Sequence, residues 1–186
     1  MKPPLLIRLL TSSNNERGDL LTRLTKDLFF ALGYDDLRLD VHKSGRELDI
    51  QGQHRLEPRR LAAECKAHAG KMGGAELNKF FGVLTRERNK CAPTPVAGYF
   101  ISLAGFTETG IEQEIETGDD RVILLDAQKI IVELERSRVI VGCAEAAERA
   151  GQCAQCVGLR DAKLDGSELL GHQRGYVWEF FYASGK

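Results

Sequence analysis

Asp49 and the tripeptide Glu64-Cys65-Lys66 are separated by fourteen residues, and together they carry two carboxylates and one ammonium. Paired carboxylates are hard oxygen donors suited to Mg²⁺, which takes few protein ligands and keeps its waters for substrate phosphates. The backbone carbonyl of Cys65, between Glu64 and Lys66, offers a third oxygen. Lys66 would add a compact cation to the same site. There it could orient or help deprotonate an attacking water and stabilise the charge that builds on a phosphorus centre. A bound ion would act as Lewis acid and as activator of its own water. All of this requires that the three side chains share one face.

Two strands would place them there. Around Asp49, period-2 alternation puts Leu48 and Ile50 on one side and Glu47, Asp49 and Gln51 on the other. The segment Leu61 to His68 alternates likewise, with Leu61, Ala63, Cys65 and Ala67 apolar and Glu64, Lys66 and His68 polar. Gly52 to Arg59 suits the turn between them, and Ser44-Gly45 the turn leading in.

The flanking elements follow from their punctuation. Thr11 to Asn15 supplies caps for a helix to Leu32 that Gly33 ends, with Leu20, Leu24, Leu28 and Leu32 as its buried stripe. Glu16, at the leading edge of that stripe, either complements the helix dipole or reaches toward the carboxylate pair. Leu37 to Val41 reads as a strand. Ala75 to Lys90 reads as a helix with Leu77, Phe80, Phe81 and Leu84 on one face. Lys79, Arg86 and Lys90 on its outer face form either a solvated stripe or a contact to a phosphate backbone. Val96 to Ser102 and Arg121 to Leu125 read as buried strands, each followed by a helix, the two helices capped by Thr107 and Asp126. Three closely spaced strands followed by strand–helix alternation predict a mixed central sheet flanked by helices, an α/β fold.

Composition narrows the class. The 186 residues are 42% apolar and 28% charged with a net charge of -1, so the chain is globular and any contact with nucleic acid must be local. No apolar run approaches the roughly 20 residues that span a bilayer. Five cysteines without a regular framework fit a reducing cytoplasm. Cys153-Ala-Gln-Cys156, with Cys143 and His172, is one Cys-X-X-Cys pair without a second at zinc-site spacing. After Val139 the pattern weakens until the strand-like Tyr176 to Tyr182. The expected division is a core at 1–138 and a C-terminal extension at 139–186, the start of a further region of a longer protein.

Gly45-Arg-Glu-Leu-Asp49-Ile50, Ala63-Glu64-Cys65-Lys66, the Leu77/Phe80/Phe81 helix and Gly98-Tyr-Phe-Ile-Ser102 together resemble the PD-(D/E)XK nuclease superfamily, and within it the Mrr-type restriction-endonuclease-like domains. The resemblance spans about Asn14 to Leu125. It implies a restriction-endonuclease-like core and a metal-dependent DNA endonuclease using Mg²⁺, with Mn²⁺ as substitute, in restriction or anti-phage defence. By motif, Asp49 is the first acid, Glu64 the second and Lys66 the lysine. Glu16 matches the first-helix glutamate that some members use for metal, and Asn78 a polar position of Mrr-like members. Leu48 stands where the motif's name has proline. Such domains also occur as N-terminal effectors fused to STAND-type NTPase modules in anti-phage proteins. Cutting both strands commonly needs two active sites, so a homodimer or clustering through a larger parent protein is expected. The alternatives are a nuclease-fold DNA-binding or interaction module without turnover, and a nuclease acting on RNA or branched DNA.

Overall fold

A computed structural model describes residues 5–43, 46–116, 122–158 and 163–183. The expected Ser44-Gly45 turn lies outside the described residues. The elements, in order, are β1 (Leu6–Leu9), α1 (Asn14–Ala31), β2 (Tyr34–Lys43), β3 (Arg46–His54), β4 (Arg60–Lys66), α2 (Gly74–Cys91), β5 (Val96–Ser102), α3 (Glu108–Glu116), β6 (Val122–Leu125), α4 (Ala127–Arg136), α5 (Cys143–Cys156), β7 (Lys163–His172) and β8 (Gly175–Ala183).

The central sheet has the order β2-β3-β4-β5-β6. β2, β3 and β4 form the antiparallel meander, and β4, β5 and β6 run parallel through the crossovers α2 and α3. This is the mixed α/β fold that the strand spacing predicts. Helices α1, α4 and α3 each begin on a side-chain cap. Ser13 caps α1 through its Oγ, which accepts from Glu16 N at 3.2 Å, and Gly33 leaves it with φ +94°. Asp126 caps α4 by accepting from Lys129 N at 2.8 Å. The Thr107 Oγ1 accepts from Gly110 N at 3.3 Å at the start of α3.

Two core layers lie on either side of this sheet. On one side Leu21, Leu24 and Leu28 of α1 and Ile130, Ile131 and Leu134 of α4 pack on Ile50, Leu61, Ala63 and Ile101. On the other, Leu77, Phe80 and Leu84 of α2 pack on Ala62, Phe100, Val122 and Leu124. Gly98 permits the close approach of α2: a Cβ there would stand 2.2 Å from Leu84 Cδ2.

The reading of β4 holds, since Leu61, Ala63, Cys65 and Ala67 all join the α1 layer. The reading of β3 needs correction. Leu48 and Ile50 do not share a face: Leu48 packs in the α2 layer and Ile50 in the α1 layer. The cause is a break in regular pairing at Asp49. The β3–β4 ladder runs only from Gln53↔Arg60 to Ile50↔Ala63, and on the other side Asp40 of β2 has φ +49°. The strand turns over between two buried residues and sets the acid at the bend.

A second sheet has the order β1-β7-β8, and of its strands the strand-like run Tyr176 to Tyr182 corresponds to β8. β1 is its edge and runs parallel to β7, with Leu6 level with Glu168 and Leu9 with Gly171. Arg8 Nε pairs with Glu168 at 2.8 Å, and its NH2 bonds Glu179. Leu9 and Leu169 belong to the same buried layer as α1 and α4. Hydrogen bonds thus join the 1–138 and 139–186 stretches through this sheet.

Candidate active site

Asp49, Glu64 and Lys66 meet where β3 and β4 part. Because the ladder stops at Ile50↔Ala63, the next donor on β4, the Cys65 N–H, has no strand partner from β3. The Asp49 side chain takes that place: Cys65 N donates to Asp49 Oδ2 at 2.5 Å. A side chain standing in for a main-chain acceptor fixes the carboxylate against the backbone between Glu64 and Lys66. On β4, alternation sends Glu64 and Lys66 to the face opposite Cys65, and Lys66 Nζ lies 2.6 Å from Glu64 Oε1.

The electrostatics of the three are coupled. Burial pushes the Asp49 carboxyl up to about 6; the Cys65 N–H opposes this, while the charges of Glu64 and Asp40 add to it and that of Lys66 opposes it. At Lys66 partial burial disfavours the ammonium, but the hydrogen bond and charge of Glu64 and the charge of Asp49 outweigh it, and the group is held above the ordinary lysine range. The chain therefore holds two carboxylates against part of their own repulsion and keeps one cation among them. The Cys65 thiol plays no part in this chemistry. It lies in the α1 layer, 3.7 Å from Thr25 Oγ1, and burial pushes its pKa far up, so it stays a thiol.

Asp49 and Glu64 have the donor chemistry that a hard divalent ion requires, and the excess negative charge at Asp49 is what such an ion would neutralise. Glu16 is an exposed residue in the first turn of α1, bonded to Thr11, its carboxyl lowered by the hydrogen bonds of Thr11 and Ser13. Among the described residues no three His, Cys, Asp or Glu side chains converge as a metal set, so Glu16 is not brought to the Asp49–Glu64 pair. It lines a separate cavity of about 440 Å³ with Asp19, Arg23, His172 and Arg174. Asn78, Lys79, Arg86 and Lys90 are all exposed on α2, and Lys90 Nζ stands 3.6 Å from Glu87 Oε1. Cys153 and Cys156 are exposed on α5, and Cys143 Sγ lies 3.5 Å from Ser167 Oγ.

Two neighbours of the site escaped the sequence reading. Asp40 lies between the pairs Leu39↔Ile50 and Val41↔Leu48, level with Asp49, and adds negative charge to it. The Asp-X-Asp-free run Leu37 to Val41 gives no sign of that role, since it depends on the register across the meander. Ser102 ends β5 level with Lys66, and its relevance follows only from the parallel pairing.

A family model described as Restriction endonuclease, of the Mrr catalytic type, matches residues 14–134. No curated protein matches the chain. Among solved structures, the crystal structure of the protein of unknown function AF1548 is similar, with a TM-score of 0.50, 16% identity, and coverage of 72% of this chain and 78% of that one. The DNA modification-dependent restriction endonuclease AspBHI is matched with a TM-score of 0.42 and 20% identity, over 80% of this chain and 44% of that one. The family match covers the meander, both crossovers and all three residues gathered at the β3–β4 fork, and this chain belongs to the restriction endonuclease family.

Proposed function

We propose that the chain is a Mg²⁺-dependent DNA endonuclease, with Mn²⁺ able to substitute, acting in restriction or anti-phage defence. The observation that carries this reading is the fork itself: Asp49 held on Cys65 N, with Glu64 and Lys66 paired beside it, in a member of a nuclease family. Asp49 and Glu64, with the Cys65 carbonyl, would hold the ion, which when bound supplies Lewis acidity and an activated water. Lys66 is kept protonated by its neighbours, so its role is that of a cation. It donates hydrogen bonds to a phosphoryl oxygen and stabilises the charge of the phosphorane. A proton-accepting role would first require that Glu64 release it. The exposed Lys79, Arg86 and Lys90 on α2 are proposed phosphate contacts, with Asn78 beside them. Cutting both strands commonly uses two such sites, which a homodimer or a clustered parent protein would provide.

The test is nicking and cleavage of supercoiled, linear and single-stranded DNA with Mg²⁺ or Mn²⁺. Cleavage should be abolished by EDTA. Asp49→Ala and Lys66→Ala should each lower the rate at least about a hundredfold, near 2.7 kcal/mol. If both variants cut like the unmodified chain, the assignment is wrong. Binding of DNA without turnover under any divalent ion would favour the interaction-module reading, and cleavage of RNA alone would move the substrate.

A further inference from the structure

Ser102 is fully buried, yet its Oγ has no hydrogen-bond partner among the described residues. Nearly all buried polar groups are paired, and an alanine would occupy the same space without the cost of desolvating a hydroxyl. An orphan of this kind points to a partner that arrives in another state of the site. Its location identifies which one. The parallel register sets Glu64 beside Phe100 and Lys66 beside Ser102. Residues level with each other on adjacent strands project to the same face. Phe100 packs on Phe80 of α2, so Ser102, two residues on, projects to the face that carries Glu64 and Lys66.

Glu64 has two demands on one carboxylate. Here its Oε1 holds the Lys66 ammonium at 2.6 Å, and under the function proposed above it is also a ligand of the divalent ion. We propose that Ser102 is a positioning residue for Lys66: when Glu64 turns to the ion, the ammonium passes from Glu64 Oε1 to Ser102 Oγ, which accepts its hydrogen bond. Lys66 then stays beside the reacting phosphate and does not compete for Glu64. The buried hydroxyl is unpaired in the ion-free state because its partner is on loan to Glu64. This rests on the reading of Asp49 and Glu64 as the ion-binding pair.

Calorimetric titration of the purified chain with Mn²⁺, without DNA, reads the transfer directly. Ser102→Ala should weaken Mn²⁺ binding by about three- to tenfold, the range expected for one lost hydrogen bond. In a Lys66→Met background the same change should alter Mn²⁺ binding by less than about twofold, because the group that Ser102 receives is gone. The ion-free melting temperature of Ser102→Ala should be unchanged or raised, since only an unpaired hydroxyl is removed. Should that variant fail to fold, Ser102→Cys carries the same expectation, a thiol being a weak acceptor. Unchanged Mn²⁺ affinity in Ser102→Ala, or equal weakening with and without Lys66, overturns the proposal. Asp49→Ala separates the two levels. If it abolishes a binding that Ser102→Ala leaves intact, only the Ser102 role is refuted; if the unmodified chain binds no Mn²⁺, the ion-site reading fails as well.

Discussion

Replacing Asp49 by Asn should make the ion-free protein more stable while destroying its activity. The carboxyl is moved from an ordinary 3.8 to about 6, chiefly by burial. At about 1.4 kcal/mol per pH unit, this corresponds to about 3 kcal/mol, and partial solvent screening brings the expected gain to about 1–3 kcal/mol. The sign follows from proton counts. Between pH 3.8 and about 6 the folded chain binds more protons at this residue than the unfolded chain. Stability therefore falls as pH rises through that window, and the full cost is present above it. Asparagine keeps an oxygen to accept from Cys65 N and carries no charge. For a domain of this size, thermal melts in EDTA at pH 8 should show Asp49→Asn higher by roughly 3–10 °C. The gain should shrink to about a third by pH 4.5, where most folded molecules already carry a protonated Asp49. Adding Mg²⁺ should raise the melting temperature of the unmodified chain and leave the variant unmoved. An equal gain at both pH values, or a loss at pH 8, would refute the burial account of this site.

Three further outcomes can be checked on the same material. Gly98→Ala places a Cβ 2.2 Å from Leu84 Cδ2, so denaturant titration should show a loss of about 1–3 kcal/mol as α2 is pushed from the sheet. Under native conditions a maleimide should label the exposed Cys153 and Cys156 quickly and spare Cys65 until the chain unfolds; peptide mass mapping reads this directly. Arg8→Ala removes the contacts to Glu168 and Glu179, both partly exposed, so it should cost at most about 1 kcal/mol and speed amide exchange in β1 more than in β4.

Sequence periodicity was a reliable guide wherever an element is regular on both sides. β4 is flanked by β3 and β5, and its alternation maps directly onto two core layers, which is why Glu64 and Lys66 could be placed together from their spacing alone. The capping signals at Ser13, Thr107 and Asp126 are local and were equally legible. β3 misled because period 2 assumes an unbroken ladder. The strand turns over at Asp49, so two apolar neighbours of the acid enter opposite layers. The bend depends on Asp40 and on where the β4 ladder ends, neither of which is encoded near Asp49 in the chain. β7 was unreadable for another reason. Lys-Leu-Asp-Gly-Ser-Glu has little strand propensity, and it extends along β8, with β1 joining on the other side only from Glu168 onward. Ser102 reads as an ordinary strand-end serine until the register sets it beside Lys66.

The pairing of β1 with β7 has a temporal consequence. Leu6 lies level with Glu168, so during synthesis β1 has no strand partner until β7, which follows the whole central sheet, has been made. Leu9, which joins the layer of α1 and α4, lacks its β7 neighbour Gly171 for that interval. Closing so long a loop adds little to the equilibrium cost, because the entropy grows only logarithmically with length, but it delays the contact. The meander that holds Asp49, Glu64 and Lys66 uses nearby segments and can assemble long before. A nascent chain would thus pass through a stage in which the fork of Asp49, Glu64 and Lys66 exists while the neighbouring sheet is still open.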